Sequence, residues 1–95
     1  MFLARVVGTV VCTTKDEGLE GLKLLVVQHV DLEMKPRPAF AVAADGIGAG
    51  MGEIVIVVTG SSARIATRVK NRPLDATIVG IVDSVEVGGS TVFRK

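Results

Sequence analysis

The chain opens on an alternation. From Phe2 to Cys12 the even positions read Phe2, Ala4, Val6, Gly8, Val10 and Cys12, all apolar or small, while the odd positions admit Arg5 and Thr9. A period of two sends neighbouring side chains to opposite faces, so this segment is expected as a β-strand whose even residues face a core. Lys15-Asp16-Glu17-Gly18 interrupts it with charge and glycine. A strand pattern resumes from Leu22 to Asp31, with Leu22, Leu24, Val26, Gln28 and Val30 on one face, and the two strands can pair across the loop. Pro36 and Pro38 then flank Arg37. Proline lacks a backbone donor and fixes φ, which makes Leu32 to Pro38 a loop or the edge of a sheet.

A short strand from Ala39 to Ala44 leads into Asp45-Gly46-Ile47-Gly48-Ala49-Gly50-Met51-Gly52, and the most β-branched stretch of the chain follows from Glu53 to Thr59. The glycine-dense segment therefore joins two strands. After Gly60-Ser61-Ser62, the four-residue spacing of Ile65 and Val69 predicts a short helix from Ala63 to Val69, ending before Asn71 and Pro73. Ala76 to Val87 reads as one continuous strand with Gly80 as a bend and Gly88-Gly89 as its stop. Five strands and one short helix without βαβ alternation predict a mostly β protein, a small, mostly antiparallel barrel over 1–87 with a tail over 88–95.

Composition adds a reason to expect a partner. Ninety-five residues make one domain with a modest core, yet 48% of them are hydrophobic and the mean hydropathy is +0.51. A membrane is not expected to take up the excess, because the longest aliphatic run, Ile54 to Val58, is far short of the ~20 residues that span a bilayer. Arg5 breaks the N-terminal apolar stretch before a signal-peptide region forms, and the lone Cys12 has no internal disulfide partner. A cytoplasmic chain that packs against other subunits is the expectation. The net charge of +1 supplies no global field for nucleic acid or anionic lipid.

The candidate chemistry is sparse. Gly46, Gly48, Gly50 and Gly52 invite comparison with a dinucleotide fingerprint, but the third glycine falls where Met51 or Glu53 stands, and a strand rather than a helix follows. The segment is then a positive-φ loop or a place where a neighbouring backbone approaches closely. Ser61 and Ser62 before Arg64 suit an N-cap or, alternatively, a small-anion site. Arg64, Arg68, Lys70 and Arg72 form a basic run that reads as a solvated face; with three Phe and no Trp or Tyr there are few stacking platforms for nucleic acid. Cys12, on the core face of the first strand, reads as an inert residue rather than a nucleophile assisted by His29. One Cys and one His do not make a zinc site. No catalytic, cofactor-binding or metal residue is expected.

Four separated blocks carry more. Leu19-Glu20-Gly21-Leu22-Lys23-Leu24-Leu25-Val26-Val27-Gln28, Gly48-Ala49-Gly50-Met51-Gly52-Glu53, Gly60-Ser61-Ser62-Ala63-Arg64 and Asp75-Ala76-Thr77-Ile78-Val79-Gly80-Ile81-Val82-Asp83 together resemble the pentameric vertex proteins of bacterial microcompartments. The resemblance implies an OB-like barrel assembled as a homopentamer that closes the corners of a polyhedral shell whose facets are hexameric proteins. It implies a structural role without cofactor, nucleic acid or membrane. It also assigns Gly48, Ala49, Gly50, Gly52, Glu53, Ser61, Ser62 and Arg64 to subunit packing, with Glu53 and Arg64 fixing orientation. An OB-like binding module for nucleic acid or a small anion is the alternative, and a Cys12/His29 thiol enzyme is a distant third.

Overall fold

The computed structural model describes residues 1–15, 17–19, 21–60, 63 and 75–95. Strands β1 (Phe2–Val10), β2 (Lys23–Val30), β3 (Pro36–Asp45), β4 (Ile54–Thr59) and β5 (Ala76–Ile81) close a barrel in the order β1-β2-β3-β5-β4. Neighbours run antiparallel except β3 and β5, which meet in parallel through Ala44 opposite Thr77 and Asp45 opposite Ile78. Closure thus depends on the last residues of β3. This is the expected five-stranded OB-like barrel. A 3-10 turn, Glu17–Leu19, lies in the β1–β2 connection. The expected helix falls outside the described residues except for Ala63, which is buried.

The interior is narrow and filled with small and β-branched side chains. Ala4, Val6, Leu25, Val27, Ala43, Ala49, Val55, Val57, Ala76 and Ile78 form one buried cluster, with Phe2, Ala41 and Ile81 packed at its margin. Alanine from several strands lets the barrel close tightly around the larger Leu25 and Ile78, which suits a small barrel filled by side chains.

The alternation of β1 holds only for its first half. Ala4 and Val6 are buried, but the β1–β2 register shifts between Val6 and Gly8, which then lies opposite Val26. One extra residue reverses the faces, so Gly8 and Val10 share the outer face with Val26 and Leu24, while Leu25 and Val27 point inward. Cys12, expected in the core, lies beyond β1 and is exposed. The reason is that the strand ends at Val10, so the alternation does not extend to Cys12; within the strand, the bulge reverses the faces after Val6.

The proline segment belongs to a strand. Pro36 begins β3, and Pro38 sits within the irregularity that separates the Gln28–Phe40 pairing from that of Val30 and Pro36. A strand's first residue and a bulge are places where a missing donor costs little. The expected continuous strand from Ala76 to Val87 is divided. The Val82 amide donates to the Ile54 carbonyl at 2.9 Å, ending the barrel contact, and the chain leaves to form β6 (Ser84–Val87). The stretch expected as a tail supplies its partner, β7 (Ser90–Arg94), and the two make a separate two-stranded sheet. Gly88 and Gly89 both have positive φ, at 59° and 81°, forming the turn between them.

Candidate functional site

The glycine segment connects β3 to β4 as expected, and a single carboxylate organises its first half. Asp45 ends β3 and is 6% exposed. Its Oδ1 accepts the amides of Ile47 and Gly48, both at 3.1 Å, and its Oδ2 accepts that of Ala49 at 2.8 Å. An aspartate that receives its own downstream amides forms a tight Asx-type turn. The turn swings Ala49 back into the barrel, where it is 1% exposed and joins the core cluster. The Lys23 ammonium donates to the Ala49 carbonyl at 3.4 Å.

A second carboxylate organises the other half. Glu53 Oε1 accepts the Gly50 amide at 2.6 Å, and the Glu53 amide donates to the Gly50 carbonyl at 3.2 Å. A Cβ at Gly50 would lie 3.2 Å from that Oε1. Gly48 and Gly52 have φ of 87° and 83°, a region that favours glycine. Two bonds stitch the end of the turn to β1 beside its bulge: Gly52 donates to the Val6 carbonyl at 2.8 Å, and Val6 to the Glu53 carbonyl at 3.0 Å. The Arg5 Nη1 donates to the Gly52 carbonyl at 2.8 Å.

Glu53 also reaches the end of the chain. Lys95 Nζ lies 2.6 Å from Glu53 Oε2, and the Lys95 amide donates to the Asp83 carbonyl at 2.8 Å. The base of the β6–β7 ribbon is thereby fastened to the glycine turn. The Lys95 ammonium, followed by the Gly50 amide, holds the Glu53 carboxyl below its ordinary value of 4.5. Glu53 in turn raises Lys95 above its ordinary 10.5. The pair is open to solvent, so its contribution is screened by salt.

Chemically this arrangement is a rigid scaffold. The amides of Ile47, Gly48, Ala49 and Gly50 are taken by the turn's own carboxylates, and those of Gly52 and Glu53 by backbone carbonyls, so these amides do not converge on a phosphate. The proposed thiol pair is also separated: His29 stacks on Phe2 with ring centres 3.8 Å apart and lies opposite Ala4. Cys12 lies beyond the end of β1, whose last residue, Val10, is already six residues from Ala4, about 20 Å at strand spacing. Among the described residues no group of His, Cys, Asp or Glu is arranged to hold a metal, and no helix is long and apolar enough to cross a membrane.

Of the residues assigned to subunit packing, Gly48, Ala49, Gly50, Gly52 and Glu53 lie together in this turn, while Ser61, Ser62 and Arg64 fall outside the described residues. Ala49 is spent on the core of its own chain. The surface of the turn is formed by Ile47, Gly48, Met51 and Gly52, all exposed. Sequence reasoning missed Asp45, Arg5, Lys23 and Lys95. An aspartate immediately before a glycine-rich segment is a legible Asx signal; the other three act across 26 to 47 residues of sequence, and no local pattern carries that.

Comparison with known proteins covers the whole chain. The model of the family described as "Ethanolamine utilisation protein EutN/carboxysome" matches residues 1–83. The bacterial microcompartment shell vertex protein EutN of Salmonella typhimurium is 50% identical over 95 residues, spanning 100% of this chain and 96% of that protein. Among solved structures, CcmL of Gloeobacter violaceus superposes with a TM-score of 0.96 at 41% identity, covering 100% of this chain and 98% of that one. GrpN of Rhodospirillum rubrum, described as a pentameric microcompartment shell protein, has a TM-score of 0.84 at 49% identity, covering 92% of this chain and 100% of GrpN.

Proposed function

This chain belongs to the EutN/carboxysome family, and from that premise we propose that it is a structural subunit whose homopentamer caps the vertices of a bacterial microcompartment shell. The observation that carries the reading is the full-length likeness, in sequence and in barrel geometry, to relatives described as shell vertex and pentameric shell proteins. The geometry of closure explains why such a subunit is needed. Hexameric units tile a flat layer, and a closed polyhedron requires positions of five-fold symmetry. A heterologous interface, one patch meeting a different patch on the next copy, supplies such a position when its rotation closes after five steps.

The partners on this reading are four further copies of the chain and the hexameric proteins of the same shell. The role is structural and not catalytic. The glycine turn supports it: its exposed Ile47, Gly48, Met51 and Gly52 offer a close-approach surface, with Gly50 and Glu53 holding the turn in shape; on this reading Ser61, Ser62 and Arg64, outside the described residues, also belong to the subunit contact. The test is shell closure. Hexameric shell proteins produced together with this chain are expected to give closed polyhedra, and without it elongated or open-cornered shells. Equally closed shells in both cases would refute the role.

A further inference from the structure

The chain has one Asp-Gly step, Asp45-Gly46; its other aspartates precede Glu17, Leu32, Ala76 and Ser84. An aspartate before glycine is the one most prone to rearrange its own backbone, because glycine has no side chain to obstruct attack by its nitrogen on the neighbouring carboxyl. In that reaction the Gly46 nitrogen bonds to Cγ of Asp45. One carboxylate oxygen leaves as water, taking the amide proton and a proton from solvent, and a cyclic imide remains. Water then adds to either imide carbonyl and breaks its bond to nitrogen. Opening at Cγ restores aspartate, whereas opening at the backbone carbonyl gives isoaspartate, with the former side-chain carbons in the backbone. The water and the solvent proton are returned, so no other reactant is needed.

The folded turn opposes each part of this step. Oδ1 accepts the amides of Ile47 and Gly48, and Oδ2 that of the buried Ala49, so the departure of either oxygen forfeits hydrogen bonds. The Asp45 backbone pairs with Lys23 of β2 on one side and Ile78 of β5 on the other, which restrains the rotation that would bring Cγ over the Gly46 nitrogen. At 6% exposure, Asp45 is also shielded from the water that completes the reaction. Asp83, before Ser84, differs in each respect that concerns its carboxyl: it is exposed, and it is its carbonyl that is engaged, by the Lys95 amide at 2.8 Å.

We propose that Asp45-Gly46 is a modification site of the open turn: isoaspartate forms there in chains that have not folded or whose turn has opened, and is held off in the closed barrel. The product does not return to the fold. Isoaspartate lengthens the backbone by one carbon at the residue where β3 meets β5. Its remaining carboxyl sits directly on Cα, one carbon short of the amides it served, and Ala49 loses the bond that turns it into the core. A chain so marked is excluded from barrel closure and becomes a substrate for an enzyme that methylates isoaspartyl carboxyls. None of this depends on how many copies assemble.

The test incubates the full chain at neutral pH, folded in buffer and unfolded in guanidinium chloride. Isoaspartate is located by mass spectrometry after digestion with an endoproteinase that cleaves before aspartate but not before isoaspartate. At residue 45 it is expected to accumulate at least about tenfold more slowly in the folded chain, since the turn must open first, and the folded chain is expected to protect Asp83 less. In guanidinium chloride, Gly46→Ala is expected to slow the reaction at residue 45 severalfold. Gly48→Ala places an L side chain at a φ of 87°, loosens the turn and is expected to speed the reaction in the folded chain. On return to buffer, chains with isoaspartate at residue 45 are expected to stay unfolded while unmodified chains refold.

Folded protection of less than about tenfold at Asp45, or protection at Asp83 as large as at Asp45, overturns the proposal. So does a Gly46→Ala chain that reacts as fast as wild type when unfolded, a folded Gly48→Ala chain that reacts no faster, or a modified chain that refolds normally. The wild-type comparison needs no variant, so the test survives a Gly48→Ala chain that does not fold.

Discussion

Replacing Asp45 with alanine removes the carboxylate that receives the amides of Ile47, Gly48 and Ala49. The three losses are unequal. Ile47 and Gly48 are exposed, so water takes up their amides and each change costs a few tenths of a kcal/mol to about 1 kcal/mol. Ala49 is 1% exposed and packed in the core cluster, and its orphaned amide bears the desolvation penalty of about 1–3 kcal/mol. The sum is about 3 kcal/mol, which for a chain of this size lowers the melting temperature by roughly 12–24 °C.

Asp31 provides the control. It accepts the amides of Glu33 at 2.8 Å and Lys35 at 3.0 Å by the same chemistry on an exposed loop. Asp31→Ala is expected to cost about 1 kcal/mol or less, because water replaces it at both amides. Thermal unfolding of the three proteins at one fixed concentration, which holds assembly constant, checks both figures. An Asp45→Ala protein melting within about 4 °C of wild type, or no lower than Asp31→Ala, refutes the view that Asp45 fixes the turn.

Further predictions concern the glycines, the end of the chain and the bulge. Gly52→Ala forces an L side chain to a φ of 83° and is expected to cost about 1–3 kcal/mol in denaturant unfolding; Gly50→Ala meets only the carboxylate end of the Glu53 side chain and is expected to cost less. Lys95→Met removes the ion pair with Glu53. Since the Glu53 carboxyl is depressed, its share of stability is present above the ordinary 4.5 and lost as pH falls through the lowered value. Lys95 is raised, so its share is present below the ordinary 10.5 and lost as pH rises through the raised value. The stability gap between wild type and Lys95→Met, measured by unfolding across pH, is therefore widest between these limits and narrows beyond both and in high salt. Val6→Asp buries an unpaired charge and is expected to abolish folding by circular dichroism, whereas Val10→Asp, on the outer face beyond the bulge, keeps the barrel.

The barrel was legible because its strands alternate or concentrate β-branched residues, as in Glu53 to Thr59 and Phe2 to Val6. What escaped the pattern were changes of partner. The bulge after Val6 moves Val10 to the outer face without leaving any mark in composition. The apolar run from Ala76 to Val87 conceals the departure from the barrel at Val82, since both halves are β-rich and only the pairing changes. Cys12 was misplaced because the strand ends at Val10, before it. In the glycine turn, the positive-φ positions were readable from residue type, but the fasteners Arg5 and Lys95 come from opposite ends of the chain and exist only once the barrel brings those ends to the turn.

The central claim is a ring of five copies, and the subunit count tests it most directly. Native mass spectrometry of the purified, untagged chain is predicted to yield a dominant species of five times the 9.9 kDa protomer mass, dissociating without intermediates of higher order. A stable monomer, or a ring of any other number, would contradict the account.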